Sequence, residues 1–263
     1  MTVTRSAPKP AAPEPRSPAP ARPVAANAWP GAPGVLPSHC PLCFGTLEPL
    51  PGMPGRARHR SARCSAQCVL TTRQYQPDEM AVHGGRDARV AARHRERFVA
   101  NWERHYGLVR RMWPAFTIAR FTAVLACADV QDLWSYPSLR DDDLASVLLV
   151  LAGFMRTPGA HEPADASAGG SARWVRFWFD ASVRDVGDLW TAGADAPRFF
   201  RVDYREPQAT PFPTGAQVLA WQQIGGVRDA WAQQQRAPAP AVEPAGRAAF
   251  ARFVARSPRR DAI

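Results

Sequence analysis

Four cysteines restrict this chain more than any other feature: Cys40 and Cys43 in His39-Cys40-Pro41-Leu42-Cys43-Phe44-Gly45, then Cys64 and Cys68 in Arg63-Cys64-Ser65-Ala66-Gln67-Cys68. A thiol pair held two or three residues apart can chelate one ion without straining its turn. Two such pairs, twenty residues apart here, close a tetrahedron around Zn²⁺. The second pair is Cys-x3-Cys, one residue longer than the commoner Cys-x2-Cys. Gly45 suits the tight turn that aims N–H groups at sulfur, and Pro49, Gly52, Pro54 and Gly55 between the pairs are loop chemistry that leaves no room for a long helix.

On these two pairs, residues 38–75 resemble the zinc-ribbon class. The resemblance implies a structural Zn²⁺ on Cys40, Cys43, Cys64 and Cys68. Four thiolates leave no open position for a catalytic water, so the ion is expected to fold a module. His39 and His59 are spare donors that could each replace a thiolate. Two rival uses of the cysteines fit less well. Disulfides need an oxidising compartment, yet Met1-Thr2-Val3-Thr4-Arg5-Ser6 leads into Pro and Ala with no apolar signal segment, so the expected location is cytoplasmic. A redox Cys-Pro-Leu-Cys centre needs a strand before it and a helix after it, where proline-rich sequence and a loop stand instead. Cys127, in Val124-Leu125-Ala126-Cys127-Ala128, reads as a small buried hydrophobe.

Charge points to an acidic partner. The 263 residues carry a formal +10, nucleic acid is preferred to membrane because no long apolar span occurs, and DNA and RNA are not distinguished. Lys9 is the only lysine, so part of the arginine excess reflects the coding bias of a GC-rich, bacterial-type genome. Two arginine groups are candidates for phosphate contact: Arg56, Arg58, Arg60 and Arg63 between the cysteine pairs, and Arg89, Arg93, Arg97 and Arg104 on a helix. The competing reading is that the first group balances a negative zinc–thiolate site and the second is an ordinary solvated face.

Composition divides the chain into a Pro/Ala-rich arm expected to be disordered (1–37), the zinc-ribbon-like module (38–80), an arginine-rich helical block (85–156), an α+β block packed with the helices (172–235) and a flexible basic tail with a possible short helix (236–263). Apolar residues at three- and four-residue steps predict one long helix from Asp87 to Trp113, broken by Pro114, a second from Phe116 to Trp134 and a third from Asp141 to Met155. Asp141, Asp142 and Asp143 read as N-terminal capping of the third. Alternation predicts strands at Arg173–Asp180 and Phe199–Arg205, with Val175, Phe177 and Phe179 meeting Phe200, Val202 and Tyr204 on one face, and a covering helix at Thr214–Gln223.

The expected fold is therefore α+β: a zinc ribbon, a helical block, then a small antiparallel sheet with helix. The expected function is a zinc-containing, non-catalytic nucleic-acid-binding accessory protein. A protein-interaction scaffold with a purely structural zinc is the alternative, and a metal-dependent nuclease using Asp180, Asp185, Asp188 or Asp203 comes third. No nucleophile motif and no phosphate-binding glycine loop accompany those acids.

Overall fold

The computed structural model describes residues 24–25, 36–52, 56–74, 80–85, 87–157, 173–191, 196–236 and 241–256. The expected disordered arm lies almost wholly outside them. The chain is α+β. Its cysteine module comprises β1 (Val24–Ala25), β2 (Leu47–Pro49), β3 (Arg56–His59) and α1 (Ala62–Gln67), with the strands antiparallel in the order β1-β3-β2. A helical block follows: α2 (Ala88–Ala100), α3 (Trp102–Met112), α4 (Ile118–Val130) and α5 (Asp141–Leu151). An antiparallel sheet of β4 (Met155–Arg156), β5 (Arg173–Phe179), β6 (Phe199–Arg205) and β7 (Val218–Ile224) pairs in chain order, and α6 (Val227–Arg236) and α7 (Pro244–Arg256) return to the helices. Among the described residues no helix is long and apolar enough to cross a membrane.

Local chemistry accounts for most boundaries. Asp87 caps α2 by accepting from the N–H groups of Arg89 and Val90, and Thr117 caps α4 by accepting from Arg120. The long helix expected over 87–113 is two helices. Asn101 leaves helical geometry (φ −116°, ψ 12°), and its side-chain amide donates to the Arg97 carbonyl, competing with the backbone ladder as Asn does. The third helix ends at Leu151 and not Met155, because Gly153 adopts φ 65°, a left-handed stop, and the chain turns into β4. Cys127 sits on the outer side of α4 and is exposed, contrary to the buried role expected of it.

Two of the three acids of α5, Asp141 and Asp143, do something other than cap. No side chain caps this helix: Asp141 pairs with Arg97, and Asp143 accepts from both Arg228 and Trp190. They favour the helix dipole but act chiefly as ties to α2, α6 and the turn at Val186–Trp190.

The strand pair forms as expected but in a different register. Val175 faces Asp203, Phe177 faces Arg201 and Phe179 faces Phe199, whereas Trp174, Arg176 and Trp178 face Tyr204, Val202 and Phe200. Since cross-strand partners share a face, the expected apolar grouping is shifted by one residue. Both faces can accept this because both are buried. Val175, Phe177 and Phe199 join the helical core, while Trp178, Phe200, Val202, Tyr204 and Trp221 join a second cluster with Cys40, Leu42, Leu47, Cys68 and Leu70 of the cysteine module. The helix expected at Thr214–Gln223 is a one-turn Gly215–Gln217 helix, boxed by Thr214 and Gln217, followed by β7, whose β-forming Val218, Trp221 and Ile224 extend the sheet from β6. The segment read as a basic tail contains α7, anchored by Phe250 stacked 4.0 Å from Trp102. The sheet is thus a middle layer between helices and cysteine module.

Candidate metal centre

The first cysteine turn is a tight loop. Phe44 N–H donates to the Cys40 carbonyl and Cys40 N–H to the Gly45 carbonyl, with Phe44 held at φ 58°. Gly45 is required by close approach: a Cβ there would stand 2.9 Å from the Cys64 Cβ and 3.1 Å from the His59 ring. Opposite this turn, β3 obeys strand alternation, with Ala57 and His59 buried and Arg58 exposed, so His59 points inward. Helix α1, capped by Ser61, then delivers Cys68 at its C-terminal boundary, 1% exposed.

These elements bring Cys40, Cys43, His59 and Cys68 together, all four donor atoms lying within 4.8 Å of one another. Cys40 Sγ and Cys68 Sγ are 3.8 Å apart, and Cys43 Sγ is 3.2 Å from His59 Nε2. Metal–sulfur bonds of about 2.3 Å at tetrahedral angles give a sulfur–sulfur edge of about 3.8 Å, which the first pair already matches. The imidazole is oriented from behind. Thr71 gives its hydroxyl proton to the Ser65 carbonyl at 2.8 Å, so its oxygen is an acceptor for His59 Nδ1–H at 3.3 Å. That tautomer leaves the Nε2 lone pair facing the sulfurs, the arrangement of a ligating histidine with an outer partner.

Three thiols so close cannot each ionise alone. Hydrogen bonds from Cys43 and Cys68 hold the Cys40 thiol far below its ordinary value, while that same sharing with Cys40 pushes Cys43 up to about 12 and, with burial, raises Cys68. Only a cation can bring out all three protons, as metal binding to thiols does. The donor set fits a closed, four-coordinate structural site.

Cys64 departs from the expected ligand set. It lies in the first turn of α1, half-buried beside the Gly45 turn, outside the four-atom cluster, and His59 stands in the place expected of it. The extra residue in Cys-x3-Cys has a structural correlate: Cys64 and Cys68 are a helical turn apart, with only Cys68 at the boundary where the chain bends to the cluster.

The candidate arginines have mixed fates. Arg58 pairs across the strands with Glu48 at 2.7 Å, Arg97 pairs with Asp141 and reaches the Leu139 carbonyl, and half-buried Arg104 is already engaged. Arg56 begins β3. Arg60, Arg63, Arg89 and Arg93 are exposed, and no carboxylate among the described residues pairs with them. The break at Asn101 separates Arg89, Arg93 and Arg97 on α2 from Arg104 on α3. Arg95, not singled out in the sequence, makes a two-pronged bond to Asp129 and lies 5.4 Å over Trp134.

The four aspartates serve separate local structures. Asp180 takes Ser182 and Arg198, Asp185 takes Tyr136 and His83, Asp188 takes the backbone N–H groups of Arg184 and Asp185, and Asp203 takes Arg201. Among the described residues they form no joint metal-binding group. No family model, no curated protein and no solved structure matches the chain.

Proposed function

We propose that this chain is a non-catalytic nucleic-acid-binding protein of the zinc-ribbon-like kind, with one structural Zn²⁺ on Cys40, Cys43, His59 and Cys68. The observation that supports it most is a contrast among the arginines. Arg58, Arg95, Arg97, Arg198, Arg201, Arg228 and Arg247 are all paired with acids, whereas Arg60, Arg63, Arg89 and Arg93 project into solvent with no acid partner among the described residues. Exposed, uncompensated guanidinium groups on a chain of formal charge +10 are suited to phosphate contacts, whose affinity falls as counterions accumulate.

A salt titration of the metal-loaded protein against single- and double-stranded DNA and RNA tests this reading. Binding should weaken steeply with salt. Changing Arg60, Arg63, Arg89 and Arg93 to Gln should flatten the slope by up to about four ion units, roughly one for each phosphate that is no longer neutralised. A folded quadruple variant with unchanged affinity and slope would overturn it. A protein-interaction scaffold is then the reading left, and the burial of the module against the sheet supports a purely structural ion in that case too.

A further inference from the structure

The seam between helices and sheet holds a cavity of about 580 Å³, a volume ordinary for small-molecule sites. Its floor and walls come from the α3–α4 turn, the end of α5 and the β4–β5 pair. Three arginines, Arg120, Arg156 and Arg176, are among its lining residues, and no Asp or Glu is. Glu206 sits outside the lining and is held by Arg156 and by Trp174 Nε1.

Each arginine is positioned by something other than a lining acid. Arg176 is 3% exposed, its guanidinium carbon 4.7 Å from the centre of the Phe154 ring and 4.0 Å from that of Trp178. Arg cannot shed its proton, so the fold keeps a permanent positive charge at an aromatic wall. Arg120 donates from one nitrogen to the Ala152 and Phe154 carbonyls at the end of α5, which fixes its fork at the cavity edge. Arg156 stands at the rim with its side chain 60% exposed. Apart from Thr117, the remaining side chains are apolar, with the rings of Trp113, Phe116, Phe154, Trp174 and Phe212 among them; the Phe154 and Phe212 rings are stacked and Trp174 stands edge-on to both.

Cationic forks at one set of positions and aromatic faces at another describe a ligand with both parts. We propose that this cavity binds a small organic anion carrying a planar ring, its carboxylate or phosphate facing the guanidinium groups and its ring lying against the aromatic wall. This site is separate from the exposed arginines of the nucleic-acid reading and does not rest on it. The anion could come from an aromatic carboxylate or from a nucleotide, which share this chemistry and are separable by experiment.

Calorimetric titration of the full, metal-loaded chain provides the test. The probes are indole-3-acetate and uridine 5′-monophosphate, against acetate, inorganic phosphate and indole, each of which has only one of the two parts. At least one ring-bearing anion should bind saturably, about tenfold or more tighter than any single-part probe, and which one does so identifies the source. Arg156→Gln, at an exposed position that should not disturb folding, should weaken it about tenfold, the worth of a charge-assisted hydrogen bond. Ala115→Phe, which fills the cavity from its wall, should abolish it. Failure of both ring-bearing anions to bind, or binding that is equal in the wild type and both variants, would overturn the proposal. Because Arg60, Arg63, Arg89 and Arg93 lie elsewhere, their Gln variants should leave this binding intact even where nucleic-acid affinity is lost.

Discussion

His59 decides the metal site at the scale of single residues. Its Nε2 faces three sulfurs while Thr71 holds Nδ1, whereas Cys64 sits beside the cluster. Zinc-loaded wild type should contain about one ion per chain. His59→Ala should lose it, Cys64→Ser should keep it, and Thr71→Val should keep it with about 10- to 100-fold lower affinity, the usual cost of removing an outer partner. Elemental analysis with competitive chelator titration measures all three, and release of the metal by Cys64→Ser would return the site to four thiolates. The cysteine spacing pointed to a metal site, but the fourth member of the donor cluster comes from a strand in a segment that reads as loop. Alternation of Arg58 outward and His59 inward becomes visible only once β3 is known to pair with β2. A second histidine carries a pH signature. His105 is wholly buried between Phe98 and Trp231, at 4.9 and 4.3 Å, and neither ring nitrogen finds a partner among the described residues. Burial, helped by the charge of Arg97, lowers its pKa from 6.5 to about 3. The unfolded chain therefore binds the extra proton first, so this contribution to stability is complete above the unfolded pKa and falls as pH drops from 6.5 towards 3. Between pH 6.5 and 5 the wild type should lose about 1.6 kcal/mol more than His105→Phe, since one pKa unit is worth about 1.4 kcal/mol and the unfolded histidine is already half protonated at pH 6.5. Denaturant unfolding of both proteins at the two pH values gives that difference, in which acid effects on the thiols cancel. Parallel losses would exclude His105 as the source.

Among the elements, α5 is the hub, and its first turn shows how one residue can join several. Asp143 is 6% exposed and takes a two-pronged bond from Arg228 of α6 at 2.8 and 3.0 Å, plus the Trp190 indole N–H at 3.0 Å. Asp143→Ala would leave both donors without their acceptor and should cost about 2 to 3 kcal/mol, at the lower end for a buried pair because the Arg228 side chain is 42% exposed. Replacing both partners, Asp143→Leu with Arg228→Met, should recover most of it, since the desolvation of both charges disappears together. If the double variant is as unstable as the single one, the tie is not electrostatic. The role of Asp143 was illegible in the sequence because its partners lie 47 and 85 residues away, and three acids at a helix start match the capping pattern equally well. Helix starts and the two long strands were legible, since apolar period and caps are local. The split at Asn101 and the register of β5 against β6 were not. The first depends on one amide choosing a backbone carbonyl, and the second on both sheet faces being buried, which removes the polar face that would have fixed the alternation.

For the whole molecule, the metal centre and the sheet are one packing problem. Cys40 and Cys68 sit in the same apolar cluster as Trp178, Phe200, Tyr204 and Trp221, so an ion held there would do more than close a loop. The module is also tied to the sheet side by Ala181 N–H to the Leu42 carbonyl at 2.8 Å, Gly215 N–H to the Thr72 carbonyl at 2.8 Å, and Arg198 over the Phe44 ring at 5.0 Å. A Cβ at Gly215 would stand 2.7 Å from the Thr71 backbone, so the two surfaces meet without spare space. Removing the ion under reducing conditions should therefore loosen the module and uncover the outer sheet face together. The helical layer rests on the opposite face through Val175, Phe177 and Phe199 and needs no thiolate for its packing. Hydrogen exchange after chelation should show loss of protection over residues 38–52 and 56–74 with retained protection in α4 and α5, and the overall tryptophan emission should shift to the red as Trp178 and Trp221 are uncovered, because local openings follow packing units. Equal loss in α5 would mean that the whole chain folds as one unit around the ion, and unchanged exchange in residues 38–52 and 56–74 would mean that the ion is not what holds the module to the sheet.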